Sequence, residues 1–240
     1  LWPDIYADLQ RSTLFRSLGV DWIKRLGSGI SNRNEEVAYL NWCAVMLFFR
    51  STNLVGTAAA VLIGTGLFAR ERESNTFEFL LARPVSRSSL LWQKFWPCAL
   101  VVTLPIFIIN ATAIPWSWSL ELDLPKWELF LASSHAAIFA LTILSLTMFV
   151  SIFVRVQAHV AAIVGAFLIL QIGMYLTQRI RPYSLFRLVD YDWYAPIMSG
   201  NTPAWQMFDP FRSHGFSTYL LLAAGLLYYL SWRVLKRTEP

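Results

Sequence analysis

Long stretches almost without charge constrain this chain more than any other feature. Five runs, at about 45–69, 95–116, 129–153, 159–176 and 218–235, are dominated by Leu, Ile, Val, Phe and Ala and hold almost no Asp, Glu, Lys or Arg. A helix needs about 20 such residues to cross the hydrocarbon core of a bilayer. It also satisfies its own backbone hydrogen bonds, which lipid cannot do for an irregular or open-edged chain. The expected fold class is therefore all-α: a polytopic integral membrane protein, with residues 1–240 forming one transmembrane domain. Composition agrees, since 15% of the residues are charged against about 25% in soluble domains.

Two of the runs carry irregularities. The fourth is short and contains Gln171, which favours little tilt or a locally thinned bilayer. The second contains Pro97, Pro105, Pro115 and Asn110, a pattern that predicts bends packed against neighbouring helices. The formal net charge of +5 would suggest nucleic acid in a soluble protein. Here Lys and Arg border apolar runs, so topology accounts for them and no nucleic-acid partner is expected. The cysteines, Cys43 and Cys98, fall toward opposite membrane faces and are not expected to form a disulfide. The histidines lie far apart in sequence, so no metal-ligand cluster is visible. Trp42, Trp92, Trp96, Trp116, Trp118 and Trp232 sit near the ends of the runs, at headgroup level.

Basic residues set the direction. With the 66–94 insert, the link around Arg155 and the C-terminal tail in the cytoplasm, that side collects Arg70, Arg72, Arg83, Arg87, Lys94, Arg155, Arg233, Lys236 and Arg237 against Glu71, Glu73, Glu78 and Glu239. The opposite side has a slight acidic excess, as the positive-inside rule requires. Residue 1 is then external. The start Leu1-Trp2-Pro3 carries neither an initiator Met nor a signal-peptide pattern, and a further span before residue 1 is expected. Residues 1–41 form an external segment in which Ile5, Leu9, Leu14, Leu18 and Ile23 recur at near-helical spacing. Residues 178–216, also external, mix prolines with many aromatics. A solvated loop and a set of short helices re-entering the membrane both remain open there.

The segment 70–91 interrupts the apolar pattern on the cytoplasmic side. Asn75 can cap a short helix, with Glu78 completing a capping box. Phe77, Leu80 and Leu81 then share one face, and Arg83-Pro84 ends the helix. Ser86 starts the next turn into the second span. Such a lever could dock in a cleft of a soluble partner. It could equally be an interfacial hairpin that anchors two helices near lipid phosphates.

The stretch from Ala69 through Arg87, ARERESNTFEFLLARPVSR, resembles the signature of permease subunits in the ABC-2 family of ATP-binding-cassette exporters. Glu71 and Glu73 match its acidic positions, Asn75-Thr76 its Gly-Thr step and Leu80-Leu81 its hydrophobic pair. Pro84-Val85-Ser86-Arg87 matches the turn, and Lys94 the basic residue opening the next span. Asn75 replaces the usual glycine, a mild change because Asn tolerates turn geometry. The resemblance implies a type V exporter-like transmembrane domain with six spans per subunit, a second permease subunit of the same or a related chain, and two cytoplasmic ABC ATPase subunits. It further implies a bacterial or archaeal inner membrane and a substrate path near the dimer interface. Glu71, Glu73, Thr76, Phe77, Leu80, Leu81, Arg83 and Arg87 become the residues that couple to the ATPases. This chain has no G-x-x-x-x-G-K-[ST] phosphate-binding motif, so no cofactor is expected in it, and Mg-ATP belongs to the partner.

Polar residues within the spans have two readings each. Arg50, Asn53, Asn110, His135 and Gln171 could line a substrate path or an interface, and buried polar groups also simply join helices. Arg50 either snorkels or selects an acidic substrate. Gly56, Gly64 and Gly66 make the first span the candidate for the central dimer contact. The expected function is a permease moving a lipidic, amphipathic or drug-like substrate. A scaffold subunit recruiting a cytoplasmic partner, and a membrane lipid-processing enzyme, are the alternatives.

Overall fold

The computed structural model describes residues 35–77, 86–177, 179–201, 203–211 and 215–237. Five helical segments in it are long and apolar enough to cross a membrane: Glu35–Glu73, Arg87–Ser119, Lys126–Phe153, Gln157–Leu176 and Phe216–Arg237. They coincide with the five apolar runs and extend past them, because the charged end residues stay helical outside the hydrocarbon. Of the expected external segment, residues 1–34 lie outside the described part.

The first span joins α1 (Glu35–Cys43), a π-helical stretch (Ala44–Thr52), α2 (Asn53–Thr65) and, after a turn, α3 (Ala69–Glu73). Its widened part ends where the Asn53 amide reaches back five residues to the Phe48 carbonyl, the bonding pattern of a π-helix. The second span is α4 (Arg87–Ala111) and α5 (Ala113–Ser119), the third is α6 (Lys126–Phe153) and the fourth is α7 (Gln157–Leu176). Between the fourth and fifth lie short 3-10 turns, Arg181–Tyr183 and Leu185–Val189, then α8 (Tyr191–Met198) and a further turn, Ala204–Phe208. The fifth span is α9 (Phe216–Arg237).

The second span, where prolines predict bends, stays helical through two of them. Pro97 and Pro105 lie inside an unbroken α4, and the interruption falls at Thr112. There the backbone amide is shared between the Ile108 and Ile109 carbonyls, at 3.1 and 3.2 Å. The Thr112 hydroxyl takes the Ile109 carbonyl at 2.6 Å. Each proline removes one helical donor, and the rest of the ladder holds where no water competes for it.

Helix α6 is the hub, packed against α2, α4 and α9. Its small buried residues, Ala132, Ser133, Ala136, Ala140 and Ser145, let neighbouring backbones come close, the usual device for helix association in lipid. A Cβ added to Gly64 would stand 2.7 Å from Thr147 Cβ, while Gly56 faces Ile106 and Ala140. These two glycines let this chain's own helices approach closely. The outward face of α2 carries Leu54, Val55 and Leu62. Helices α4, α7 and α9 also turn apolar residues outward, among them Leu100, Ile169 and Leu222.

Candidate functional site

The region expected to couple to a partner is built around α3. Lys94, two turns into α4, donates to the Leu67 carbonyl at 2.9 Å and also to a carboxylate oxygen of Glu71. Its ammonium lies 5.2 Å from the centre of the Phe68 ring. Glu73 accepts from the backbone amide of Gln157 at 3.1 Å. Gln157 is the first residue of α7, where amides lack helical partners and a negative charge is favoured. The Gln157 side chain in turn donates to Thr65 Oγ1 at 3.1 Å. One five-residue helix is thus tied to α4 through one carboxylate and to α7 through the other.

The turn that follows α3 closes in a defined way. The Thr76 amide bonds the Glu71 carbonyl at 2.9 Å and the Asn75 amide bonds the Arg72 carbonyl at 3.2 Å. This is the Schellman arrangement, which needs a left-handed residue between the two donors, and Asn75 supplies it at φ 56°. Asn75 therefore ends α3; its left-handed backbone is not the extended one that a capping residue usually takes, and the other half of the expected capping box lies outside the described residues. Phe77 is buried and meets Phe68 edge-on, ring centres 6.5 Å apart. Arg72 covers the Phe77 ring at 4.5 Å. Ser86 caps α4, accepting from the Ser89 amide at 3.1 Å, and Arg87 opens that helix.

The structure thus gathers Glu71, Glu73, Thr76 and Phe77 around α3, with Arg87 at the start of the adjoining span. Leu80, Leu81, Arg83 and the expected capping partner Glu78 lie outside the described residues. The charged run Arg70-Glu71-Arg72-Glu73 is not uniformly exposed. Arg70 and Glu73 are exposed, whereas Glu71 and Arg72 are half-buried because Lys94 and Phe77 draw them in.

The polar residues inside the spans act as struts. Asn110 accepts from Thr52 Oγ1 at 3.3 Å and donates to Ser133 Oγ at 2.9 Å, joining three spans. Asn53 donates to the Val189 carbonyl at 3.0 Å. His135 Nε2 contacts the Leu188 carbonyl at 2.7 Å and Nδ1 contacts Ser217 Oγ at 2.6 Å. A carbonyl can only accept, so Nε2 carries the proton and Nδ1 accepts from the serine. Gln171 accepts from the Leu185 amide at 2.8 Å. Arg50 lies in the π-helical stretch, and its side chain is outside the described set.

A second cluster, on the other side of the spans from α3, was not expected from the sequence. Tyr175 donates to Asp190 Oδ1 at 2.6 Å, and Arg181 pairs with the other oxygen of Asp190. Asp190 also caps α8 through the Tyr191 amide at 2.7 Å. Burial raises the Asp190 carboxyl above the usual carboxylate range, against the Tyr175 hydrogen bond and the Arg181 charge, which lower it. Beyond this clasp, Tyr194 of α8 is fully buried and stacks on Phe48 of the π-helical stretch, ring centres 4.6 Å apart. The signal available in the sequence was the pairing of Arg181 with two aspartates amid aromatics.

A helical bundle with five segments long and apolar enough to cross a membrane, a short charged helix at one end and polar struts between the spans is the architecture of a multi-pass membrane protein. No group of three His, Cys, Asp or Glu side chains among the described residues could hold a metal ion. Residues 7–185 match the model of the ABC-2 family transporter proteins, and the chain belongs to that family. Membership makes it a transport component and not an enzyme. No curated protein matches the sequence.

Proposed function

We propose that this chain is the permease subunit of an ATP-driven exporter, with α3 and the residues after it receiving motion from cytoplasmic ABC ATPase subunits. The observation that carries the reading is the double tether of α3: Glu71 to Lys94 on α4, and Glu73 to the first amide of α7. A lever that only anchored two adjacent spans would have no use for a bond to a third. Nucleotide-driven closure of the ATPases would bias the spans between two packings, and only to the extent that the closed form prefers one of them. Mg-ATP is held by the partner, and a second permease subunit completes the membrane pair. The Lys and Arg bias puts α3 and the C-terminus in the cytoplasm. Helix α8 then re-enters the outer half of the membrane, a reading supported by the burial of Tyr194 between spans. The cargo is lipidic, amphipathic or drug-like.

Co-purification of the chain with its ATPase, followed by ATP turnover with and without the membrane subunit, tests this. E71Q and E73Q are expected to leave assembly intact and to lower stimulated turnover roughly tenfold, equivalent to about 1.4 kcal/mol. Unchanged turnover in both variants would overturn the coupling role. Assembly without any stimulation, in the unaltered protein, would favour a scaffold.

A further inference from the structure

A groove of about 430 Å³ opens at the end of the spans opposite α3, between the first and second. One wall is formed by Tyr39, Trp42 and Leu47 of α1 and the π-helical stretch; the other by Ile109, Ala113 and Trp116 of α4 and α5. The volume falls in the range of small-molecule sites, roughly 300–1,000 Å³, and the lining is almost wholly apolar and aromatic. Among the described residues, those bordering it include three carboxylates. Glu35 stands four residues before Tyr39, one helical turn further out on the same face. Glu121 follows the lining residue Leu120 directly, and Asp123 lies just beyond; all three carboxylates are exposed. Among the described residues of this edge, the basic Lys126 is engaged with the Trp118 ring at 5.4 Å.

Glu121 is held in place at a cost. It sits at φ 56°, in a turn where the Leu122 amide bonds the Ser117 carbonyl at 3.1 Å and its own amide bonds Trp118 at 3.2 Å. Glycine is the ordinary occupant of that position, and a side chain there is strained. An acidic residue kept in a glycine position beside an apolar groove points to a role for the charge.

We propose that this groove binds amphiphiles with a cationic head, the apolar body lying between α1 and α5 and the positive charge facing Glu35 and Glu121. An apolar slot with a carboxylate rim and exposed indoles favours such a molecule over its anionic counterpart, through direct charge attraction and the negative faces of the rings. The proposal deepens the exporter reading by naming the chemical class of its cargo, and as a statement about cargo it rests on that reading.

The test is equilibrium binding of tetraphenylphosphonium to the protein in phosphatidylcholine nanodiscs, with empty nanodiscs as background. Tetraphenylborate serves as a control of nearly the same shape and opposite charge. The unaltered protein should bind the cation at least roughly tenfold more tightly than the anion, a difference of about 1.4 kcal/mol. A113W, which fills the slot, should abolish saturable binding of the cation. The E35Q/E121G pair should weaken cation binding several-fold while folding at least as well, since glycine relieves the strain at 121. Equal binding of the two ions, or an E35Q/E121G protein that binds the cation unchanged, overturns the proposal. So does absence of binding, which would mean that another part of the protein covers the groove. No ATPase is needed, so a failure here strikes the groove alone and leaves the coupling test untouched.

Discussion

Asn75 occupies backbone that most side chains avoid, and the turn after α3 depends on it. N75G is expected to preserve or slightly improve stability. N75V, with a branched side chain in the left-handed region, should cost about 1–2 kcal/mol locally and lower ATPase stimulation without loss of the five spans. Thermal unfolding in detergent and ATP turnover check the two halves. At Asn110 the relevant measurement is a double-mutant cycle with Ser133. Hydrogen bonds between membrane helices average about 0.6 kcal/mol, with maxima near 1.7, and the Asn110–Ser133 coupling is expected in that interval. His135 is different in kind. H135F removes the partner of both Ser217 and the Leu188 carbonyl, and stranded polar groups cost about 1–3 kcal/mol each, so its melting temperature should fall further than that of N110L.

Among the elements, the crossing of α2 and α6 is the tightest constraint. G64L drives a side chain into Thr147 at a distance no real contact tolerates, and overpacking of this kind typically costs about 1–3 kcal/mol. T147G should restore part of the loss, which would show that the two helices meet there and not merely near there. The spans themselves were legible in the sequence, because a bilayer demands about 20 apolar residues wherever a helix crosses it. Their ends were not, since Glu35 and Arg87 stay helical once the chain has left the hydrocarbon. Nor was the π-helical stretch legible: AVMLFFRST has nothing in its composition to separate it from α-helix. Asn53, Asn110, His135 and Gln171 were recognisable as polar groups in lipid that could join helices, but the groups they would join were not. The partners of His135 lie 82 and 53 positions away, and no periodicity reaches that far. The acidic pair of the lever could be identified by its resemblance, while its bond to α7 depended on how the fourth span returns.

At the scale of the whole molecule, two clamps hold opposite ends of the bundle. On the far side from α3, Asp190 is 3% exposed and paired with Arg181. D190A leaves that guanidinium with Asp192 alone, at 3.5 Å, so the loss should fall below the roughly 3–5 kcal/mol of a fully unpaired buried charge. Protease should then cut the 181–190 region readily while the spans remain protected, and D190N should be milder. At the near end, the bond from Glu73 to the first amide of α7 has a mechanical consequence. A push on α3 is divided among the first, second and fourth spans, which α6 already holds to the fifth. No single helix can swing alone without first breaking one of those ties, so a push entering at α3 would repack these spans together and not one at a time.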